Sequence, residues 1–220
     1  MTKTRSLRLL GALFVAVTFG FASTASADTI SFANTNPITI TDGKASPYAS
    51  SIAVSGIVET VVDVNVTLSG LTHPYANDLY FVLEGPGGAL VLMNDAGGEN
   101  PLFGVSVIFD DDPLLDPIPY SAPFGSGSYN VSQYDSPPPP ADTAPAPNPG
   151  LGGNLGIFNF LDPNGTWNLY TYDDTFGGVG ELAGGWSITF ETRPIPEPTA
   201  AVLFAVGTFV VGGTLRRQRA

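Results

Sequence analysis

The sequence predicts an all-β fold, a β-sandwich or jelly roll, and three observations predict it. Apolar and polar residues alternate over 62–68 and again over 186–191, and a period of two indicates a strand with one buried and one solvated face. Glycine, proline, asparagine and aspartate interrupt the chain between short apolar runs, without helical periodicity. About eight short strands separated by frequent turns are typical of a sandwich or jelly roll.

The alternation also assigns faces to the strands. The side chains expected to face the core from these two segments are Val62, Val64, Val66, Leu68, Trp186, Ile188 and Phe190. Further strands are predicted over residues 52–54, 79–83, 89–93, 105–109 and 166–172. Residues 85–88, Gly-Pro-Gly-Gly, predict a hairpin turn, because glycine adopts positive φ at low cost. Trp167 and Trp186 lie on apolar strand faces, which favours core positions over exposed platforms for sugars.

Charge is unevenly distributed along the chain. Residues 28–195 carry 19 acidic and two basic side chains, a net charge of −17, whereas the other six basic residues lie in the two end segments. So acidic a body repels nucleic acid and anionic lipid, and it suits divalent cations or simple solubility. The chain has no cysteine, so its stability depends on hydrophobic burial without disulfides.

The N-terminal segment, residues 1–27, has the order of a secretory signal. Basic residues at positions 3–8 precede a charge-free apolar run over 9–21. Ala25 and Ala27 then form an A-x-A site for signal peptidase, with Asp28 as the first residue after the cut. A membrane anchor is the alternative, but the apolar run is short for a span.

The C-terminal segment, residues 194–220, has three parts in sequence. Pro196-Glu197-Pro198 precedes a charge-free apolar stretch over 199–215. A helix over that stretch would rise roughly 24 Å, which makes it a marginal transmembrane span. The basic cluster that follows consists of Arg216, Arg217 and Arg219, and it would hold that end in the cytoplasm. A buried core helix is the alternative, although it leaves the basic cluster unexplained.

This arrangement is similar to the PEP-CTERM sorting signal of exported proteins in Gram-negative bacteria that make extracellular polysaccharide. The resemblance implies a membrane-embedded exosortase as a partner, which recognises the motif and removes the helix. It also implies transient insertion in the inner membrane, followed by secretion or display on the cell surface.

A proline-rich insertion over 113–149 holds 11 of the 20 prolines, which is typical of a surface loop or a disordered segment. It carries three tyrosines, Tyr120, Tyr129 and Tyr134. Their rings either form a surface for a ligand or pack back on the sandwich, and we favour packing.

Three segments of the body resemble the P domain (P/Homo B) of subtilisin-like proprotein convertases. They are residues 71–79 (T-H-x-Y-x-x-D-L), residues 83–88 (L-x-x-P-x-G), and residues 165–169 (G-T-W-x-L) followed by Asp173, Gly180 and Trp186. The resemblance implies a jelly-roll-like sandwich over 41–193, with 28–40 as a lead-in. Convertase P domains follow a subtilisin catalytic domain, which we expect this chain to lack.

Catalytic signatures are missing from the sequence. A Ser-His-Asp or Cys-His triad requires a histidine, and the single one is His73. It lies in the P-domain-like motif at a predicted strand entry, where a capping or turn-stabilising role is natural. No nucleophile elbow, zinc-protease, phosphate-loop or dinucleotide motif is present. The chain has enough carboxylates to supply the catalytic pair of a glycoside hydrolase, so this class of enzyme stays open on residue content alone. We nevertheless expect no enzyme.

Calcium is the one cofactor that the sequence suggests. Two runs of aspartates end predicted strands, and carboxylates on a loop are ligands that Ca²⁺ prefers. The candidate ligands are Asp110, Asp111, Asp112, Asp116, Asp173 and Asp174. A solvated strand edge is the alternative for the same residues.

Three functions follow from these observations. The first is an exported, non-enzymatic module, structural or adhesive in the extracellular polysaccharide matrix. The second is a matrix protein that binds or cleaves carbohydrate. The third is an accessory partner of a separately encoded subtilisin-like serine protease.

Overall fold

The computed structural model describes residues 27–134 and 152–194, and within them the regular structure is almost entirely β. Two short 3-10 turns occur, at Ala76–Asp78 and Leu155–Phe158. The strands are β1 Asp28–Asn34, β2 Ile38–Ile40, β3 Gly43–Lys44, β4 Ser50–Val54, β5 Thr60–His73, β6 Leu79–Gly85, β7 Gly88–Asn94, β8 Leu102–Phe109, β9 Gly127–Tyr129, β10 Ser132–Gln133, β11 Gly165–Asp173, β12 Gly180–Leu182 and β13 Trp186–Arg193. The all-β prediction is confirmed.

Several predicted features lie outside the described residues. They are the signal segment up to residue 26 with Ala25, the sorting residues Pro196, Glu197, Pro198, Arg216, Arg217 and Arg219, the helix over 199–215, and residues 135–149 of the proline-rich insertion. Over 27–134 and 152–194, no helix has the length and apolar character needed to cross a membrane.

The strands form two mixed sheets. The first has the order β1-β13-β5-β12-β2, with β8 also pairing β5 and β9 pairing β8. The second has the order β10-β7-β6-β11-β3, with β4 also pairing β11. The β8–β9 and β10–β7 pairs are parallel, and the other pairs are antiparallel.

One hydrophobic core lies between the two sheets. Phe190 on β13 of the first sheet contacts Trp167 on β11 of the second, with ring centroids 5.5 Å apart. Trp167 also meets Phe158 from the 3-10 turn at 4.8 Å. Both tryptophans are buried as predicted, and their indole N–H groups find acceptors: Trp167 donates to the Pro163 carbonyl and Trp186 to the Ser50 hydroxyl. Each of these aromatic side chains buries a large apolar area on folding, and this burial stabilises the core.

The face assignment holds everywhere except at Val62. Val64, Val66 and Leu68 are buried as predicted, but Val61 takes the core position in place of Val62. The register explains the exchange, because Glu191 pairs Asp63 while its neighbour Thr192 pairs Val61. The extra residue in β5 is a β-bulge, which moves the side chains before it to the other face.

The five other predicted strands are present, each extended by one to three residues at one or both ends. The predicted hairpin turn is present as well, since Gly85 pairs Gly88 across the two-residue connection Pro86-Gly87. Gly87 has φ of 99°, and a proline followed by a positive-φ glycine is the pattern of a type II turn.

The predicted lead-in and insertion contribute strands to the sheets. Residues 28–40 contain β1, which pairs β13 along its whole length, and β2, which pairs β12. The described part of the insertion contains β9 and β10, one in each sheet, and buries Ile118 and Ser132 completely. These segments therefore belong to the folded body, and the part of the insertion up to residue 134 is anchored to it.

Candidate functional site

One end of the sandwich holds a group of titratable side chains. His73 is the last residue of β5, Asp173 is the last of β11, and Asp95 directly follows β7. Asp78 directly precedes β6, whose first residue Leu79 pairs Asp173. Strand register thus brings four residues that are far apart in sequence to one end of the fold: His73, Asp78, Asp95 and Asp173.

His73 and Asp173 form a buried pair that joins the two sheets. Both side chains are 0% exposed, and Nε2 of His73 lies 3.1 Å from Oδ2 of Asp173. The other ring nitrogen, Nδ1, lies 2.7 Å from the carbonyl oxygen of Tyr75. The N–H of Tyr75 also points to Nδ1, at 3.3 Å, so the tautomer decides whether Nδ1 donates to the carbonyl or accepts from the N–H. His73 thus lies at the end of β5 and not at a strand entry, and its buried ring contacts the backbone of the turn that follows.

Two glycines close the space around this pair. A Cβ atom on Gly178 would lie 2.7 Å from Nε2 of His73 and 3.1 Å from Oδ2 of Asp173. A Cβ atom on Gly180 would collide with the Thr72 carbonyl oxygen. The glycine after Asp173 in the P-domain-like motif is required here by close packing, because no larger residue fits.

Two further carboxylates next to the pair have perturbed pKa values. Asp78 is only 6% exposed. Burial raises its pKa, Asp173 and then Glu99 raise it further, and His73 and a hydrogen bond from Thr175 oppose the rise. Asp174 is exposed, but partial desolvation still raises its pKa, and Asp78 and Asp173 add to the rise against a hydrogen bond from Thr175. Like charges held together in this way favour protonation of one another.

An aspartate directly before a strand is able to accept hydrogen bonds from backbone N–H groups of its turn, but the Asp78 carboxylate does not do so. Instead the carboxylate interacts with Asp173, His73 and Thr175, and the turn is held by backbone hydrogen bonds. Ala76 N–H donates to the Asn100 carbonyl at 3.0 Å and Asn77 N–H to the Gly98 carbonyl at 3.1 Å.

Tyr80 lies behind these carboxylates on the outer face of the second sheet. It is 3% exposed, and burial, then Asp95 and Asp174, raise its pKa to about 12. Its hydroxyl has no hydrogen-bond partner among the described residues. A buried hydroxyl without a partner is uncommon and costly.

Asp95 borders an open cleft of about 410 Å³. Its walls are the turn before β6, the loop after β7 and the first part of the insertion. The lining residues are Asn77, Asp95, Gly98, Glu99, Asn100, Tyr120 and Ser121. They provide two carboxylates, two amides, a serine hydroxyl and an aromatic ring.

Hydrogen bonds hold the loop after β7 in place on both sides. Gly97 N–H donates to the Pro119 carbonyl at 2.7 Å. The amide nitrogen of Asn100 donates to the carbonyls of Gly97 at 2.6 Å and Ser121 at 3.2 Å. Gly98 has φ of 61°, and a Cβ atom there would lie 2.7 Å from the Ser121 carbonyl oxygen. The cleft is therefore built on fixed backbone.

The three tyrosines of the insertion differ in their surroundings. Tyr129 packs on Phe124 with centroids 5.9 Å apart, and the Tyr134 hydroxyl donates to the Ile118 carbonyl. Packing is therefore confirmed for these two. Tyr120 tilts against Tyr134 at 5.4 Å but keeps 60% of its surface exposed at the mouth of the cleft.

The candidate calcium ligands fall into two separate places. Asp173 and Asp174 lie at the end of the sandwich just described. Phe109, which precedes the other run, pairs Val66, seven residues from His73 along β5. At about 3.3 Å per residue this is a separation of roughly 23 Å, so the structure does not bring the two runs together.

The carboxylates of the first run bind backbone N–H groups. Asp110 accepts from the N–H of Asp112 at 2.8 Å, and Asp112 from that of Leu114 at 2.9 Å. Asp111 accepts from the N–H of Gly156 at 2.6 Å, and the backbone carbonyl of Asp116 accepts from Asn130. Across 27–134 and 152–194, no three acidic or histidine side chains are grouped so as to hold a metal ion.

Sequence reasoning missed the cleft, since its residues come from three segments that only strand pairing brings together. The one local signal was Gly97-Gly98 between Asp95 and Glu99, directly after a strong strand. A glycine pair in that position indicates a loop with a defined backbone and polar side chains.

Compared with known protein families and with curated proteins, the chain matches neither a family nor an individual protein.

Proposed function

We propose that this chain is an exported, non-enzymatic β-sandwich of the jelly-roll-like, P-domain-like type that adheres to extracellular polysaccharide. Export would use the N-terminal signal and an exosortase-type system acting on the C-terminal segment. The cleft at the polar end of the sandwich would make the contact.

The observation that carries the proposal is the exposed Tyr120 ring at the mouth of a polar cleft. Sugars present hydroxyl groups at their edges and C–H groups on their faces. An exposed aromatic ring offers a flat apolar surface, and nearby carboxylates and amides orient a ligand by hydrogen bonds. The cleft combines both kinds of group on backbone that packing and hydrogen bonds hold in place.

The environment of His73 argues against a role for this residue as a general base. General base catalysis needs the base within hydrogen-bond reach of the substrate. His73 has both ring nitrogens engaged and no exposed surface, so its role is structural. The carboxylates that line the cleft would accept hydrogen bonds from sugar hydroxyl groups.

Export is tested by mass spectrometry of the protein recovered from culture supernatant and from the cell envelope. A species that begins at Asp28 and ends near Pro196 is expected. An intact C-terminus in the envelope would instead make the chain a membrane-anchored surface protein and contradict removal of the helix.

Adhesion is tested with the secreted protein by affinity electrophoresis in gels containing the host's own extracellular polysaccharide. Wild type should be retarded, and Tyr120→Ala should lose most of the retardation. Leu114→Ala is the matched control, because Leu114 is 90% exposed on another part of the surface. Equal migration with and without polysaccharide for the wild type would reject the proposal.

A further inference from the structure

The first strand, β1, forms an open edge of the first sheet. It pairs β13 along all seven of its residues, and within the described residues no other strand pairs it. Over 27–134 and 152–194, no backbone hydrogen bond reaches its other side. That side therefore presents N–H and C=O groups to which a further strand is able to pair.

β1 lacks the features that protect sheet edges in most proteins, which are short length, proline, charge or a bulge. Residues 29–34 contain no proline and no charged side chain, and the pairing with β13 has no register shift. Other edge strands of the described chain are protected. β3, β9 and β10 have two or three residues each, and the outer side of β2 is bonded to Ser46 through Thr39.

The side chains of β1 alternate between two faces. Ile30 and Phe32 pack against the core from the rim of the sheet and are only partly buried. Thr29, Ser31 and Ala33 are exposed on the outer face. A strand added beside β1 would complete the burial of Ile30 and Phe32, provided that it turns apolar residues to the same face.

A second copy of β1 meets this requirement. Antiparallel pairing about a two-fold axis at Ser31 places Ile30 opposite Phe32 of the second copy on the core-facing side. Pairs of a β-branched and an aromatic residue stabilise neighbouring strands. In the same register Asp28 lies opposite Asn34, so two bodies that each carry a net charge of −17 meet without directly opposed carboxylates.

We propose that the chain forms a two-fold dimer in which β1 pairs antiparallel with β1 of a second copy, with Ser31 opposite Ser31. The two first sheets then become one continuous sheet, and the interface is the same surface on both copies. This dimer does not depend on the proposed adhesion to polysaccharide.

The dimer has a consequence for adhesion, which rests on the proposed function. β1 runs in the same direction as β5, since both pair β13 antiparallel, and β5 ends at the polar end of the sandwich. The two-fold axis reverses that direction in the second copy. The two clefts then lie at opposite ends of the dimer, where they would bridge two polysaccharide chains.

Disulfide trapping of the secreted protein tests the register, because the chain has no cysteine of its own. Opposed residues of an antiparallel pair have Cβ atoms about 4.5–5.5 Å apart, a small shift from the roughly 3.5–4.5 Å of a disulfide. Ser31→Cys should therefore give a covalent dimer under mild oxidation. Thr29→Cys is the matched control, because four residues, roughly 13 Å, separate it from its own counterpart. Thr29→Cys mixed with Ala33→Cys should crosslink.

Sedimentation velocity tests the dimer without a thiol. One added strand pair buries less area than a standard interface of about 1,600 Å², so we expect a reversible dimer with a Kd in the micromolar range. Ser31→Lys places two ammonium groups opposite each other and should weaken dimerisation at least about tenfold. Ser128→Lys is the control and should leave dimerisation unchanged, because Ser128 is exposed on β9 at the other edge of the same sheet.

Several results would overturn the dimer. They are a monomer at the highest soluble concentration, or a complex with a different protein in place of a second copy. Trapping of Thr29→Cys as efficient as that of Ser31→Cys would show another register. Equal weakening by Ser128→Lys and Ser31→Lys would place the contact elsewhere.

Light scattering from mixtures with the host polysaccharide tests the bridging separately. Wild type should raise the scattering, and Ser31→Lys should bind the polysaccharide through Tyr120 without raising it. A dimer that binds no polysaccharide would reject the adhesion and leave the dimer standing. A monomer that binds through Tyr120 would do the reverse.

Discussion

Removal of the buried His73–Asp173 pair should destabilise the fold severely. In His73→Ala, the Asp173 carboxylate stays fully buried and keeps one backbone hydrogen bond, from the Thr175 N–H at 3.1 Å. Breaking a buried pair in this way costs about 3–5 kcal/mol, since the remaining charge is uncompensated. For a domain of this size that corresponds to a fall in Tm of roughly 6–20 °C.

Urea unfolding followed by tryptophan fluorescence measures this loss, because Trp167 and Trp186 are both buried and report on the core. Glu181→Gln, at an exposed position of β12, is the control and should stay within about 0.5 kcal/mol of wild type. The double variant His73→Ala/Asp173→Ala should lose less than the sum of the single losses, as expected for contacting residues. A loss below about 1 kcal/mol for His73→Ala, or strict additivity, would refute the reasoning.

Two further predictions concern pH and packing. The raised pKa of Asp78 means that its stabilising contribution is fully present below the unfolded value of 3.8 and is lost as pH rises through the folded value. Thermal scans should therefore show Tm rising as pH falls from neutral towards this range, with a smaller rise in Asp78→Asn; an identical slope in the variant would contradict the assignment. Gly85→Ala places a Cβ atom against the Trp167 ring and should cost about 1–3 kcal/mol by overpacking in urea unfolding. Gly125→Ala is the control, because nothing lies within 4 Å of a Cβ atom at that position. Equal stability of the two variants would contradict overpacking and would mean that the Trp167 ring moves aside.

Burial on one face explains why most of the strands were predictable. Strands that face a core on one side and solvent on the other carry the period-two pattern in their own residues, as at Val64, Val66 and Leu68. The face of Val62 was predicted wrongly because a bulge changes the register without changing local composition. Strand β1 was not predicted because Ile30 and Phe32 are only partly buried at the edge of the sheet, so the period-two pattern there is weak.

The candidate site was less predictable because it depends on which strand ends meet. His73 and Asp173 are 100 residues apart, and only the pairing of β6 with β11 places Asp173 beside the segment that follows His73. Asn77, Glu99 and Tyr120 meet through loop contacts that no periodicity records. By contrast, the carboxylates of Asp110, Asp111 and Asp112 cluster in sequence, and in the fold each of them accepts a hydrogen bond from a backbone N–H.

Nuclear magnetic resonance mapping of the secreted protein titrated with the host's extracellular polysaccharide tests the central claim most directly. If the cleft makes the contact, the amide signals of Gly98, Glu99 and Ser121 should shift, and those of Val58 and Thr60 at the far end should not. Shifts confined to the far end, or no shift at saturating polysaccharide, would contradict adhesion through this cleft.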